Sequence, residues 1–155
     1  MIVVRLKGGL GNQMFQYAYG RALSIERKEE LCFNLEYFSN TTWTPREYQL
    51  GDFNVKAEIS KNEIPFFVRY ISPLLKKIKI GRNIYLDGYF QSEKYFKKYE
   101  SQIRQDFTLK KSISEKAKIF LEEIKNSNSI CVHIRRGDYV NNKFHTLQAV
   151  DYYKS

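Results

Sequence analysis

The chain opens on a β-branched, apolar run, Ile2 to Leu6, closed at once by Gly8 and Gly9. A short run without polar alternation predicts a buried strand. From Gln13 to Arg27 the period changes. Gly20 is the one glycine there, no proline occurs, and Met14, Ala18, Ala22 and Ile25 recur on one helical face with Phe15 and Tyr19 beside it. Residues 30–38, ELCFNLEYF, predict a second strand and its exit loop. Strand, glycine turn, helix and strand make a βαβ unit, which implies a parallel sheet with a right-handed crossover.

The middle of the chain is more broken. Asn, Thr and Pro make 40–50 a loop. Ser60 with Glu63 fits a capping box, and Pro65 and Pro73 limit any helix there to short pieces. NIYLDGYF at 83–90 predicts a strand that ends at Asp87-Gly88, by a hairpin or by an exit loop. Ser112 with Glu115 fits a second capping box, and Ala117, Phe120, Leu121 and Ile124 form an amphipathic stripe behind it. NSNS at 126–129 ends that helix and marks a domain boundary at 126/127, after which Ile130 to Ile134 predicts a new buried strand.

Composition narrows the class. The 155 residues, 43% hydrophobic and 15% aromatic, suit a globular domain with a core of rings. The net charge of +9 suggests an anionic partner: nucleic acid, acidic lipid or a phosphorylated substrate. Cys32 and Cys131 lie in separate apolar runs, form no metal motif, and read as buried free thiols of a reducing compartment. The short apolar N-terminus has no charged lead-in and suits neither a signal peptide nor a membrane span, so a cytoplasmic location is expected.

Two stretches carry candidate chemistry. In KGGLGNQMFQ, Gly8, Gly9 and Gly11 separate a strand from a helix. Such a loop admits close backbone approach, and the helix start offers N–H groups to an anion. It lacks the P-loop ending, and Met14 stands where a dinucleotide fingerprint has its third glycine. The same residues also fit a plain tight turn with Asn12 as helix cap. In VHIRRGDYV, the end of a predicted strand presents His133, Arg135, Arg136 and Asp138. Paired guanidinium forks match phosphate oxygens and keep their charge. An Arg–Asp surface pair beside a core histidine is the plainer alternative. A third stretch, RYISPLLKKIKIGR at 69–82, interleaves five basic residues with apolar ones and reads as one helix with a solvated basic face, or as a surface for an anionic membrane.

RLKGGLGNQMFQYAYGRAL at the start, REYQLGDFNV, YLDGYFQSEKYF and the closing VHIRRGDYV resemble the bacterial α-1,2-fucosyltransferases of glycosyltransferase family 11. The resemblance runs in order along almost the whole chain. It implies an α/β, GT-B-like fold with Rossmann-type parallel sheets: an acceptor-side domain at 1–126, and a donor domain only begun at 127–155. It implies inverting, metal-free transfer from GDP-β-L-fucose to a galactoside, with no cofactor, in the synthesis of a surface glycan. Arg135 then matches the catalytic arginine on the donor diphosphate and Arg136 its support. His133 and Asp138 match the other motif positions, and Gly9, Gly11 and Asn12 match the segment near the donor. Members of the family run to about twice this length, so these residues alone are expected not to turn over the donor. Peripheral attachment to the inner face of a membrane is a further expectation.

A basic nucleic-acid-binding module competes with this reading. Its characteristic clamp sequences are absent and the basic residues are dispersed, so no nucleic acid is expected as partner. A non-catalytic remnant that needs a partner is the third possibility.

Overall fold

The computed structural model describes residues 1–39, 45–60, 64–71, 74–134 and 152. Two compact units divide the chain, Met1–Ser112 and Ile113–Ser155. The predicted boundary at 126/127 concerns where a donor domain begins, which compactness alone does not decide.

The first unit contains β1 (Ile2–Arg5), α1 (Leu10–Arg27), β2 (Leu31–Asn34), β3 (Glu58–Ile59), α2 (Phe66–Ile71), β4 (Lys77–Ile80), β5 (Asn83–Leu86) and α3 (Glu100–Asp106). The strands form one sheet in the order β3-β2-β1-β5-β4. β2 and β5 both run parallel to β1, pairing Cys32 and Tyr85 with Val3, and β3 runs parallel to β2. β4 alone is antiparallel, joined to β5 through Gly81 at φ +55. This is the expected Rossmann-like α/β sheet. A central strand covered on both faces has no solvated side, which is why Ile2, Val3 and Val4 form an unbroken apolar run.

Helix α1 begins three residues earlier than predicted, at Leu10 with Gly9 as N-cap, so Asn12 lies in the first turn and is not the cap. Its buried side also differs. Gln13, Gln16, Tyr17, Gly20 and Ser24 are buried together, while Ala18 and Ala22 pack with Ile103 of α3. Met14 and Ile25 are only partly buried. The apolar pattern misplaced the face because two glutamines belong to it. A Cβ on Gly20 would lie 2.5 Å from Val4 Cγ2 and 3.0 Å from Leu31 Cδ1, so glycine sets how closely helix meets sheet. On the far side, Tyr17 Oη donates to Asp106 Oδ2 at 2.6 Å and Arg21 Nε donates to the same oxygen at 2.9 Å, pinning α3 to α1.

The stretch 69–82 is not one basic helix. Among the described residues α2 covers Phe66–Ile71, and Lys77-Ile78-Lys79-Ile80 becomes β4 with exposed lysines and half-buried isoleucines. The alternation is a strand period, and Gly81 supplies the hairpin turn. Pro65 precedes α2, as a proline at a helix start should. The capping box at 60–63 lies partly outside the described residues.

In the second unit, α4 (Glu115–Lys125) is capped by Ser114, whose Oγ accepts from the Ala117 N–H at 3.2 Å; the cap is not Ser112. The predicted strand at 130–134 is not formed. Ile130 is 92% exposed and Cys131 is an exposed free thiol, whereas Cys32 is buried as expected. A strand needs a neighbour for its N–H and C=O groups, and none pairs with 130–134 among the described residues. The stripe of Phe120, Leu121 and Ile124 is likewise exposed.

Candidate functional site

β1 and β5 lie side by side and parallel, so their carboxyl ends open on the same edge of the sheet. In open α/β sheets that edge is where ligands bind. The chain leaves β5 through Asp87, whose carboxylate is buried. Arg5 Nη1 donates to Asp87 Oδ2 at 3.0 Å, and Lys7 Nζ donates to Oδ1 at 2.5 Å. Both cations come from the end of β1, so one carboxylate ties the two strand exits together. Lys7 Nζ also stands 5.1 Å from the centre of the Tyr89 ring.

These groups line a cleft of about 630 Å³, with Lys76, Gln91 and Tyr95 on its other walls. Three cations face one carboxylate there. The Nε–H of Arg5 is buried and meets no acceptor among the described residues. Burial, then the neighbouring Tyr37 and Asp87, push the Tyr89 phenol above its ordinary pKa, so it is a neutral hydroxyl at physiological pH. Phe90 and Tyr95 line the cleft and pack with Tyr19 as a trio of rings with centroids 4.7 to 5.6 Å apart. Phe90 holds φ +49, a conformation a bulky residue rarely adopts. A Cβ on Gly88 would stand 2.9 Å from Phe90 Cζ, so the glycine allows this bend.

The glycine loop adjoins this edge and is fastened by the two buried glutamines. Gln16 Oε1 accepts from the Lys7 N–H at 3.0 Å, and its Nε2 donates to Lys7 O at 3.2 Å. Gln13 Nε2 donates to Gly8 O at 2.9 Å and Glu47 O at 2.8 Å, while its Oε1 accepts from the Gln49 N–H at 2.9 Å. Gly8 sits at φ +77, where a Cβ would also strike the Asn12 side chain at 2.6 Å. The loop is therefore a rigid turn whose backbone is held from inside.

Of the residues singled out by sequence, Gly9 is the N-cap of α1 and Gly11 is exposed in its first turn with nothing within 4 Å of a Cβ. Asn12 is half-buried and its Oδ1 accepts from Gln91 Nε2 at 2.7 Å, linking the helix start to the cleft wall. The three thus gather at the sheet edge beside the cleft. His133 is exposed in the second unit. Arg135, Arg136 and Asp138 lie outside the described residues.

The profile of glycosyl transferase family 11 matches residues 1–151. The chain belongs to glycosyl transferase family 11. Within and around that family, it is 33% identical to an α-1,2-colitosyltransferase of Escherichia coli over 99% of this chain and 61% of the relative. It is 30% identical to an O-antigen biosynthesis glycosyltransferase of the same organism, covering 96% of this chain and 64% of the relative. A galactoside 2-α-L-fucosyltransferase of Caenorhabditis elegans is 30% identical, over 98% of this chain and 48% of the relative. The chain therefore spans about half to two thirds of the length of these relatives. No solved structure matches.

Sequence reading passed over Arg5, Lys7, Gln13, Gln16 and Asp87 of this family 11 chain. The two glutamines left a signal: polar residues at i and i+3 on the inward side of an otherwise buried helix. The ion triad left none, because its partners are 80 and 82 residues apart in the chain.

Proposed function

We propose that this chain carries the acceptor-side part of an inverting α-1,2-fucosyltransferase. The enzyme would transfer L-fucose from GDP-β-L-fucose to the 2-hydroxyl of a galactoside in a surface glycan. The observation that carries this reading is the family match across 1–151, which takes in both the glycine loop and the motif from His133 to Asp138. Two of the relatives are named for a fucosyl or a colitosyl group transferred with α-1,2 or 2-α geometry, so the donor sugar is the point on which they differ.

In this reaction the acceptor oxygen attacks the anomeric carbon of the sugar. The bond from that carbon to the β-phosphate oxygen breaks, the electron pair leaves with GDP, and the hydroxyl proton is released. Negative charge grows on the departing diphosphate. Arg135 supports the transition state by holding that charge, aided by Arg136, with His133 and Asp138 bracing the motif. Fixed guanidinium groups serve in place of a divalent cation, so the transfer proceeds without metal. Gly9, Gly11 and Asn12 line the donor side of the sheet edge. The cleft takes the acceptor: a sugar ring lays its C–H face on Tyr89 or Tyr95, while Lys7, Lys76 and Gln91 bond its hydroxyls.

The 155 residues alone do not turn over GDP-fucose in this reading, since they span 61% of the colitosyltransferase. Transfer is tested in a chimera that joins them to the part of that relative beyond the match. Labelled GDP-fucose and a galactoside yield a 2-linked product, undiminished by EDTA. A folded chimera that transfers no fucose to the galactoside contradicts the proposal.

A further inference from the structure

From Ile64 to Leu86 the chain holds five bases, Arg69, Lys76, Lys77, Lys79 and Arg82, and no acid. Within this stretch α2 turns Val68 inward, beside buried Ile64, and leaves its rings in solvent. Phe66 and Tyr70 are each 70% exposed and lie one turn apart as a tilted ring pair with centroids 4.7 Å from each other. Phe67, Ile71 and Leu75 are exposed as well, and Leu74 is 85% exposed. The Leu74 and Leu75 N–H groups donate to Ile71 O at 2.9 and 2.8 Å, and Leu75 leads into Lys76, Lys77 and the edge strand β4, whose Lys77 and Lys79 face solvent.

An apolar cluster of this size on a surface marks an interaction site. Its charge chooses the partner. Rings and bases together suit single-stranded nucleic acid too. Leu74, Leu75 and Ile71 find no use there, because aliphatic side chains neither stack on bases nor bond phosphates. A lipid surface uses both sets: aliphatic and aromatic groups enter the boundary between headgroups and acyl chains, and bases meet the lipid phosphates. Among the described residues no helix is long and apolar enough to cross a membrane, so the attachment at issue is to a surface.

We propose that residues 66–71 and 74–82 lay this chain on an anionic bilayer surface, with Phe66, Tyr70 and Leu74 entering the interface and Lys77, Lys79 and Arg82 on the phosphates. The inference is independent of the transfer reaction. Co-sedimentation of the 155-residue chain with vesicles of phosphatidylglycerol and phosphatidylcholine tests it, against phosphatidylcholine alone. Binding to the anionic vesicles is expected, weakening as salt rises. The exposed triple variant Phe66→Ser, Tyr70→Ser, Leu74→Ser is expected to bind roughly tenfold more weakly with an unchanged circular dichroism spectrum. The pair Lys77→Gln, Lys79→Gln is expected to lose roughly tenfold or more, at about 1 kcal/mol for each base near the surface. Equal binding to both vesicle types, no binding, or binding indifferent to both variants overturns the proposal. So does a single-stranded RNA that binds through these residues when vesicles do not.

Discussion

The Lys7 ammonium lies 2.5 Å from Oδ1 of Asp87, an ion pair that spans the carboxyl ends of the two central parallel strands. Arg5 takes the other oxygen at 3.0 Å. Asp87→Asn keeps the shape and removes the charge, leaving two half-buried cations facing each other. A loss of about 1–3 kcal/mol is expected, toward the lower end because both cations reach solvent. Urea unfolding measures it, and an unchanged midpoint with an unchanged slope contradicts the structural role given to the triad.

Gln13 satisfies three backbone groups, two of them on the 47–49 segment. Gln13→Leu retains the volume and orphans all three. The expected result is a fall in stability of about 2 kcal/mol. Hydrogen exchange reads the mechanism directly: the Gln49 amide should exchange faster by more than the change in global stability explains. If Gln49 and the core amides accelerate equally, the glutamine acts only through overall packing.

Two glycines of α1 should respond oppositely to alanine. Gly20→Ala places a methyl 2.5 Å from Val4 Cγ2, and a cost of about 1–3 kcal/mol is expected as the helix is pushed off the sheet. Gly11→Ala meets nothing within 4 Å and should gain up to about 1 kcal/mol from helix propensity. Thermal unfolding of the two variants checks the pair of signs.

Tyr17 is buried and donates to Asp106, and both raise its phenol well above the ordinary value of 10.0, burial contributing most. Above about pH 10 the unfolded chain sheds this proton while the native chain keeps it. The native state then binds more protons, so stability falls as pH rises, by at most about 1.4 kcal/mol per unit for this group. Below pH 10 both states are protonated and the contribution is complete. Tyr19, Tyr48 and Tyr89 are shifted the same way and add to the slope. Tyr17→Phe should flatten part of it and cost about 1–2 kcal/mol at neutral pH, where Asp106 and the Lys56 N–H lose a partner. An alkaline slope identical in the two proteins contradicts the assignment.

The opening βαβ unit was legible because its signals are local: an unbroken apolar run for a strand covered on both faces, a glycine turn, then a change of period. The inward side of α1 was not, because Gln13 and Gln16 are buried by hydrogen bonds to the loop and not by hydrophobicity. The segment 77–80 was misread as helix although Lys-Ile-Lys-Ile alternates at period two, because basic and apolar residues interleave in both elements. The run 130–134 has every local mark of a strand and forms none among the described residues, since pairing is supplied by neighbours and not by the run itself. The place of Gly9, Gly11 and Asn12 between strand and helix was legible as a tight turn, a signal that carries their position and not a role at the donor. Arg5, Lys7 and Asp87 converge only through the register of β1 with β5.

Arg135 tests the account most directly. In the chimera with the remainder of the colitosyltransferase, Arg135→Ala should leave the fold intact and lower the rate of sugar transfer by roughly 10²–10³ or more, the cost of losing a group that holds charge in the transition state. Added EDTA should change neither variant. A folded Arg135→Ala chimera that transfers sugar at the rate of its parent contradicts the claim that this arginine steadies the departing diphosphate.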